Sequence, residues 1–293
     1  MADARILPFS KMHGAGNDYV YVDGIGGPVP EDAPALAIRV SDRHKGIGSD
    51  GLVYLLPSTV ADVRMRMWNA DGSEAEMCGN AVRCVGKLAY ERGYAKTSRV
   101  VVETMSGLKT LALQVVDGKA VSARVDMGAP VFEPARIPVA PSEVAEAGGE
   151  DAAAEFLRRK VEAAGRVFEM SCVSMGNPHA VTFVDDVADT PVAEWGPRLE
   201  NHPLFPRRAN IEFVQVLGPG HVKARVWERG SGETQACGTG ACAIGVLCAT
   251  LGRTGRHVVV DLPGGSLTID WEMDGKVYLT GPAEHVFDGQ LEL

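Results

Sequence analysis

The chain has 293 residues and a formal net charge of −9, with 45% hydrophobic and 23% charged residues. This composition is typical of a soluble globular protein and argues against a disordered chain or a coiled coil. At roughly 150 residues per domain, the length predicts two domains. Because the charge is acidic and no basic run is present, nucleic acid is not expected as a partner.

Neither a secretory signal nor a membrane span is evident. Residues 1–14 lack the long apolar core of a signal peptide, and no apolar stretch is long enough to cross a bilayer. The sequence therefore predicts a cytoplasmic protein with no membrane partner. In that compartment we expect the six cysteines to be thiols rather than a disulfide framework; they are Cys78, Cys84, Cys172, Cys237, Cys242 and Cys248.

The predicted elements of the first half begin with a helix over residues 34–43. Asp32 is its predicted N-cap, and Pro34 lies in the first turn. Alternation of polar and apolar residues predicts strands at 63–68, 100–103, 111–115 and 121–125. After Cys78 the apolar spacing becomes helical and Gly93 follows as a stop, which predicts a second helix.

The second half repeats this organisation after an insertion. Residues 141–164 are rich in Ala, Glu and Gly, and we expect a surface insertion with a short amphipathic helix around residues 152–163 and no catalytic role. Strands are predicted at 222–227 and 267–271. Residues 241–251 are apolar on nearly every side, which indicates a buried helix. The prediction is an α+β fold in which each half places mostly antiparallel strands around one buried helix.

Two pairs of segments match at almost the same offset. Residues 73–80 (SEAEMCGN) align with residues 232–239 (GETQACGT) at a shift of 159, and residues 16–23 align with residues 176–185 at about 160. Either match alone could be chance similarity between glycine-rich loops. Both together, in the same order, indicate a duplicated domain.

Cys78 and Cys237 occupy equivalent positions in the two repeats, each followed by glycine and a helix. A helix N-terminus favours anions, so it should lower the pKa of such a thiol and also bind a carboxylate. The other four cysteines are expected in the core. A metal site is not expected, because the spacings C-x5-C and C-x4-C are not those of zinc knuckles, and no redox C-x-x-C motif is present.

Several loops carry asparagine, at positions Asn17, Asn69, Asn177 and Asn210. Neutral amides bind carboxylate and ammonium groups equally well, which suits a zwitterionic ligand, although a single asparagine is more often a turn former. Glu228 and Arg229 place an anion beside a cation, as an amino-acid ligand requires, although such a pair is more often solvated.

Six motifs in order resemble the diaminopimelate epimerase family, with a match that runs from Phe9 to the C-terminal residues. They are KMHGAGNDY, NADGSEAEMCGNAVRC, SMGNPHAV, ANIEF, WERGSGETQACGTGAC and DLPGGSL. The resemblance implies two pseudo-symmetric domains, residues 1–122 with 281–293 and residues 123–280, and an active site in the interdomain cleft. It implies interconversion of LL-2,6-diaminopimelate and its meso isomer, for lysine and peptidoglycan, without pyridoxal phosphate, metal or other cofactor.

The resemblance also implies roles for individual residues. Cys78 and Cys237 become the two acid/base residues on opposite faces of the substrate, with His179 and Glu228 as their respective proton-relay partners. Backbone N–H groups at the helix starts would hold the reacting carboxylate, and the asparagines and Arg229 would hold the rest of the substrate. The implied substrate-binding residues are Asn17, Asn69, Gly79, Asn80, Asn177, Asn210, Glu228, Arg229, Gly238 and Thr239.

One departure and three alternatives stay open. Some family members carry Gln at the position of Gly51, a contact this chain lacks. A proline racemase or hydroxyproline epimerase is the nearest alternative enzyme. A non-catalytic amino-acid binding protein, or a redox sensor that joins Cys78 to Cys237 in a disulfide, would use the same thiols differently. A homodimer is left open.

Overall fold

The computed structural model describes residues 6–27, 29–140 and 156–293. The chain divides into two compact units. Unit 1 comprises Met1–Asp126 and Thr280–Leu293, and unit 2 comprises Met127–Leu279. The C-terminal segment thus rejoins the first unit, because its strand pairs antiparallel with the first strand of the chain.

Unit 1 is built mainly from short strands and two helices. Its elements are β1 (Ile6–Gly14), β2 (Asn17–Asp23), α1 (Ala33–Ser41), β3 (Gly51–Leu56), β4 (Val63–Asn69), β5 (Glu74–Ala75), α2 (Gly79–Glu91), β6 (Arg99–Thr104), β7 (Gly107–Val116) and β8 (Lys119–Gly128). The last strand of the chain, β18 (Glu284–Glu292), belongs here. The strands predicted in this half are confirmed, and each is one to five residues longer than predicted.

Unit 2 has the same kinds of element. They are β9 (Arg159–Ala163), β10 (Arg166–Ser174), β11 (Pro178–Phe183), α3 (Val192–Glu200), β12 (Asn210–Gly218), β13 (His221–Glu228), β14 (Gly232–Thr234), α4 (Gly238–Thr250), β15 (His257–Leu262) and β16 (Gly265–Trp271). β17 (Val277–Pro282) leads from unit 2 back into unit 1.

The strand pairings confirm the internal repeat. In unit 1, β1 and β2 are antiparallel, β2 and β3 parallel, β3 and β4 antiparallel, and β4 pairs with β5 and, in parallel, with β6. In unit 2 the same relations hold for β10 to β15, in the same order. A helix lies between the two strands of each parallel pair: α1 and α2 in unit 1, and α3 and α4 at the equivalent places in unit 2. The two halves are therefore copies of one topology.

The central helix of each unit is buried, as predicted. Every residue of α2 from Gly79 to Ala89 is buried, including the charged Arg83 and Lys87. The Arg83 guanidinium donates to the carbonyl oxygens of Gly79 and Pro282. In α4 nearly every residue from Gly238 to Cys248 is buried and apolar. A helix enclosed on all sides by strands needs mostly apolar residues, because a polar side chain buried there loses its hydrogen bonds to water.

One predicted helix needs correction, and another is confirmed with a shorter end. Residues 159–163 form strand β9, which pairs antiparallel with β10, so the helix predicted around 152–163 is wrong over that part; residues 141–155 lie outside the described residues. Val161 is buried against the core of unit 2 while its neighbours are not, and alternation of this kind belongs to a strand. The helix predicted at 34–43 is confirmed as Ala33–Ser41. It ends early because the Asp42 carboxylate accepts the backbone N–H groups of the next turn.

Among the described residues, no helix combines the length and the apolar character needed to cross a membrane.

Candidate active site

In unit 1, Cys78 lies at the N-cap of α2, immediately after the short strand β5. Its backbone is extended, with φ −131° and ψ 125°, so the helix begins at the next residue. The thiol is half-buried and donates a hydrogen bond to Asn17 Oδ1 at 3.3 Å. The Asn80 amide, which is buried, donates to the same oxygen at 3.3 Å. Cys78, Asn17 and Asn80, all predicted site residues, are therefore brought together.

The orientation of the Asn17 amide follows from its other contact. Asn17 Nδ2 donates to Asp50 Oδ2 at 2.6 Å, which turns the amide oxygen toward Cys78. The Asp50 carboxylate also accepts the Asp18 backbone N–H at 3.0 Å. Sequence reasoning missed Asp50, although an aspartate directly before the buried strand β3 was a usable signal. It acts on the site by holding Asn17.

Asn69 and Gly51 lie side by side on neighbouring strands. They are direct partners in the antiparallel pairing of β3 and β4. Asn69 Nδ2 donates to Ser73 Oγ at 3.0 Å, which closes the turn before β5. A Cβ atom built on Gly51 would lie 2.1 Å from the carbonyl oxygen of Trp68. Glycine is thus required at this position by the strand pairing itself.

In unit 2, Cys237 is the N-cap of α4 and is only 5% exposed. Its sulfur accepts the Gly240 backbone N–H at 3.3 Å and lies 3.5 Å from Thr239 Oγ1. The Glu228 side chain, at the end of β13, accepts the Thr234 hydroxyl at 2.6 Å, and its carboxyl group acts electrostatically on the Cys237 thiol. The predicted site residues Cys237 and Glu228 therefore lie near each other.

The pKa of Cys237 differs from the sequence expectation. Burial raises the pKa of this thiol well above its ordinary value, and the carboxyl groups of Glu228 and Glu212 raise it further. Hydrogen bonds from Thr239 and the Gly240 N–H lower it, but by less. The helix N-terminus does lower the pKa of Cys237 through the Gly240 N–H, as predicted, but burial and the two carboxyl groups outweigh this effect. Burial likewise raises the pKa of Glu228, against the lowering effect of the Thr234 hydroxyl.

His179 and Asn177 lie at the start of β11, within unit 2. The His179 ring is fully buried, with Nε2 at 2.9 Å from Asn177 Oδ1 and Nδ1 at 2.6 Å from Glu212 Oε1. Asn177 Nδ2 donates to Thr239 Oγ1 at 3.3 Å. Glu212, on β12, was missed: its motif, ANIEF, was noted for Asn210 alone. A glutamate between Ile211 and Phe213, both buried, was the available signal.

Asn210 and Arg229 complete the set of predicted residues. The Asn210 side chain bridges two backbone groups: Nδ2 donates to the Pro178 carbonyl at 2.8 Å, and Oδ1 accepts the Arg229 N–H at 2.9 Å. The Arg229 side chain is exposed and donates to the Arg207 carbonyl at 3.2 Å. Asn210 thus fixes the starts of two segments that carry His179 and Arg229.

The two helix starts present the chemistry that sequence analysis singled out. Gly79 and Gly238 open α2 and α4, so the backbone N–H groups of both first turns lie beside a thiol, and that of Gly240 donates to the Cys237 sulfur. No disulfide joins the six cysteines, all of which are described. Within the described ranges, no three His, Cys, Asp or Glu side chains are grouped as a metal ion would require.

Comparison with known proteins identifies the family. The family model for diaminopimelate epimerase matches residues 9–133 and 171–286. The chain belongs to the diaminopimelate epimerase family. The family prediction is thus confirmed, and with it the isomerase class. A diaminopimelate epimerase of Desulfovibrio desulfuricans is 53% identical over 98% of this chain and 99% of its own length, and one of Acetivibrio thermocellus is 51% identical over the same shares.

Solved structures support the fold. A hydroxyproline epimerase from Agrobacterium vitis with bound trans-4-hydroxy-L-proline has a TM-score of 0.68 at 17% identity, covering 100% of this chain and 94% of that one. A PhzF-family phenazine biosynthesis protein of Bacillus anthracis also has a TM-score of 0.68, at 18% identity, covering 99% and 100%. The α+β prediction is confirmed.

Proposed function

We propose that this protein interconverts LL-2,6-diaminopimelate and meso-2,6-diaminopimelate, without a cofactor, by two-cysteine acid/base catalysis. The observation that carries the proposal is the repeated helix start, at which a thiol is the N-cap and polar side chains hold it. The activity would supply meso-diaminopimelate for lysine and peptidoglycan.

Inversion of a stereocentre without a cofactor needs a base on one face of the α-carbon and an acid on the other. In one direction the thiolate of one cysteine removes the α-proton, and the thiol of the other protonates the opposite face. In the reverse direction the roles exchange. We propose that each repeat, residues 1–122 with 281–293 and residues 123–280, contributes one of the two thiols.

The α-proton of an amino acid is a very weak acid, so the enzyme must stabilise the negative charge that develops on the reacting carboxylate. We propose that the N–H groups of Gly79, Asn80, Gly238 and Thr239 provide this stabilisation. These groups lie at positive helix ends and in buried surroundings, where a hydrogen bond to a charge is strongest.

The remaining polar residues would hold the substrate and move protons. We propose that Asn17, Asn69, Asn177, Asn210 and Arg229 bind it, chiefly at its distal amino-acid end. Glu228 would lie near the reacting ammonium and take the thiol proton from Cys237, a role that its electrostatic effect on that thiol supports. His179 would be the relay partner of Cys78.

Solvent isotope exchange tests the proposal. LL-diaminopimelate incubated with the protein in heavy water should gain deuterium at one α-carbon, and Cys78→Ala and Cys237→Ala should each abolish turnover. Cys84→Ala and Cys248→Ala are matched controls, since each removes a buried thiol from the same helix without touching its N-terminus. Turnover that persists in both active-site variants would exclude the mechanism. Deuterium in proline or trans-4-hydroxy-L-proline instead would redirect it to the alternative substrates.

The setting of the reaction is part of the proposal. The substrate is a small molecule of cytoplasmic metabolism, so we place the enzyme in the cytoplasm with neither nucleic acid nor membrane as partner. Whether it acts as a homodimer stays a prediction, which light scattering on the purified protein would decide.

A further inference from the structure

Glu212 is a buried carboxyl group in unit 2 with no role in the mechanism above. Its side chain is 0% exposed. One oxygen contacts His179 Nδ1 at 2.6 Å, and the other, Oε2, has no hydrogen-bond partner among the described residues. A buried carboxyl group with only one of its two oxygens hydrogen-bonded lowers the stability of the folded state. This cost points to a role for Glu212 beyond packing.

A continuous chain of contacts connects Glu212 to the Cys237 thiol. Glu212 Oε1 contacts His179 Nδ1, and His179 Nε2 contacts Asn177 Oδ1 at 2.9 Å. Asn177 Nδ2 donates to Thr239 Oγ1 at 3.3 Å, and that oxygen lies 3.5 Å from the Cys237 sulfur. Five side chains from β11, β12 and the start of α4 are thereby joined.

Each hydrogen bond in this series is donated in the same direction, from His179 toward Cys237. The Asn177 carbonyl oxygen can only accept, so His179 Nε2 must carry a proton. The Asn177 amide nitrogen can only donate, so Thr239 accepts from it and keeps its own proton for the Cys237 sulfur. A rotated Asn177 amide would reverse both contacts. Thr239 would then donate to Asn177 and not to Cys237.

We propose that Glu212 is a positioning residue that sets this direction. It holds a proton between Oε1 and His179 Nδ1, whichever of the two atoms carries it. In the resting enzyme the ring therefore presents Nε2–H to Asn177, which fixes the Asn177 amide and leaves the Thr239 hydroxyl to donate to Cys237. The inference rests on the proposed function in one respect, that Cys237 acts as an acid and a base.

The surroundings of Cys237 make this donation consequential. The charged or titratable groups acting on the sulfur are the carboxyls of Glu228, from β13, and Glu212, from β12, and both oppose the thiolate. The Thr239 hydroxyl and the Gly240 N–H favour it. If the hydroxyl turned away, one of these two favourable hydrogen bonds would be lost.

Glu212→Gln is the first test, because glutamine keeps the size of the side chain and a hydrogen bond to Nδ1 but can either donate or accept. It no longer specifies a proton on Nε2. In nitrogen-15 NMR of the imidazole rings, with His179 assigned by its loss in His179→Asn, we expect a protonated Nε2 in the parent protein and a mixture of tautomers in the variant. This readout does not depend on any activity.

The second readout is the pH profile of kcat/KM. The equilibrium constant fixes the ratio of kcat/KM in the two directions at every pH, so a changed Cys237 pKa moves both profiles together. Thr239→Val, which removes only the hydroxyl donated to Cys237, should move the limb at which Cys237 titrates upward by about one pH unit, the size of one lost hydrogen bond. Glu212→Gln also removes a carboxyl group that opposes the thiolate, so its limb should lie below that of Thr239→Val. Added to Thr239→Val, Glu212→Gln should move the limb no further upward. Glu91→Gln, which removes the carboxyl paired with Lys87 in unit 1, is the control and should shift neither limb.

The outcomes separate the two proposals. A loss of rate in Thr239→Val without a moved limb, or an unchanged His179 spectrum in Glu212→Gln, overturns the positioning role. If Glu212→Gln does not fold, a limb shift in Thr239→Val and a protonated Nε2 in the parent still support the chain, and the absence of either overturns it. If the parent protein gives no isotope exchange, the proposed function fails, while the NMR result still decides the orientation.

Discussion

A methyl group at Gly51 should disrupt unit 1, because the pairing of β3 with β4 leaves no room for it. The added Cβ would lie 2.1 Å from the carbonyl oxygen of Trp68 and 2.9 Å from the Tyr19 ring. Even close carbon–oxygen contacts in sheets are about 3.3 Å long. The contact would be too short by more than about 1 Å. Because the Trp68 oxygen belongs to the backbone of the paired strand β4, no side-chain rotation can relieve the clash.

Gly51→Ala should lower the free energy of unfolding by about 3 kcal/mol, the upper end of the range for an overpacked core. For units of this size, 1 kcal/mol lowers the unfolding midpoint by about 2–4 °C, so Gly51→Ala should lose about 6–12 °C. The site should suffer as well. Asp50, which precedes Gly51, holds the Asn17 amide at 2.6 Å, and Asn69 is the strand partner of Gly51. Gly51→Gln should therefore fail to restore a substrate contact.

Thermal unfolding followed by circular dichroism measures the loss, and Gly218→Ala is the matched control. Gly218 also lies in a strand, at the end of β12, but an added Cβ there meets nothing within 4 Å. This variant should be neutral or gain up to about 1 kcal/mol, because alanine restricts the unfolded chain. A Gly51→Ala midpoint as high as that of the parent protein would refute the inference that the strand pair leaves no room.

Three further predictions concern the site and its surroundings. Iodoacetamide should modify Cys78 before Cys237, since Cys78 is half-buried while Cys237 is buried with a raised pKa; peptide mass spectrometry would show the order. Glu228→Gln should lower kcat by about 10²-fold or more, because Cys237 loses its proton acceptor; the isotope-exchange rate measures this, and an unchanged rate would remove Glu228 from the relay. Burial alone would raise the pKa of Asp23, but hydrogen bonds hold that pKa below its ordinary value. The carboxylate therefore stabilises the fold above about pH 4, and this stabilisation is lost as the pH falls through the lowered pKa. Asp23→Asn should lower the unfolding midpoint at pH 7 and much less near pH 2.

The repeat and the two helix starts could be predicted from sequence because their signals are local. A polar turn, a cysteine, a glycine and then helical apolar spacing together specify a strand end, an N-cap and a buried helix. The alternating strands are equally local, since burial of one face requires period two. Once both copies of the pattern were aligned, the equivalence of Cys78 and Cys237 followed without any knowledge of tertiary contacts.

What the sequence did not reveal depends on contacts between distant segments. Helix α3 contains Gly196 and Pro197, which resemble a turn; it forms because Gly196 packs directly against the Trp227 ring, at distances that leave no space for a Cβ. Strand β9 has a helix-forming composition, yet its pairing with β10 overrides that preference. Glu212 and the raised pKa of Cys237 follow from burial, which no local pattern reports.

The two thiols occupy equivalent positions but differ in their partners, and this difference bears on which one is ionised at rest. Cys78 is half-buried and donates to a neutral amide, Asn17 Oδ1. Cys237 is buried beside two carboxyl groups, Glu228 and Glu212, which oppose a negative charge on its sulfur. A two-base mechanism needs one thiolate and one thiol in the resting enzyme, so we expect Cys237 to rest as the thiol and Cys78 to supply the first base. For the reverse reaction Cys237 must give up its proton, and the Glu228 carboxyl group, whose own pKa burial has raised, is matched to receive it.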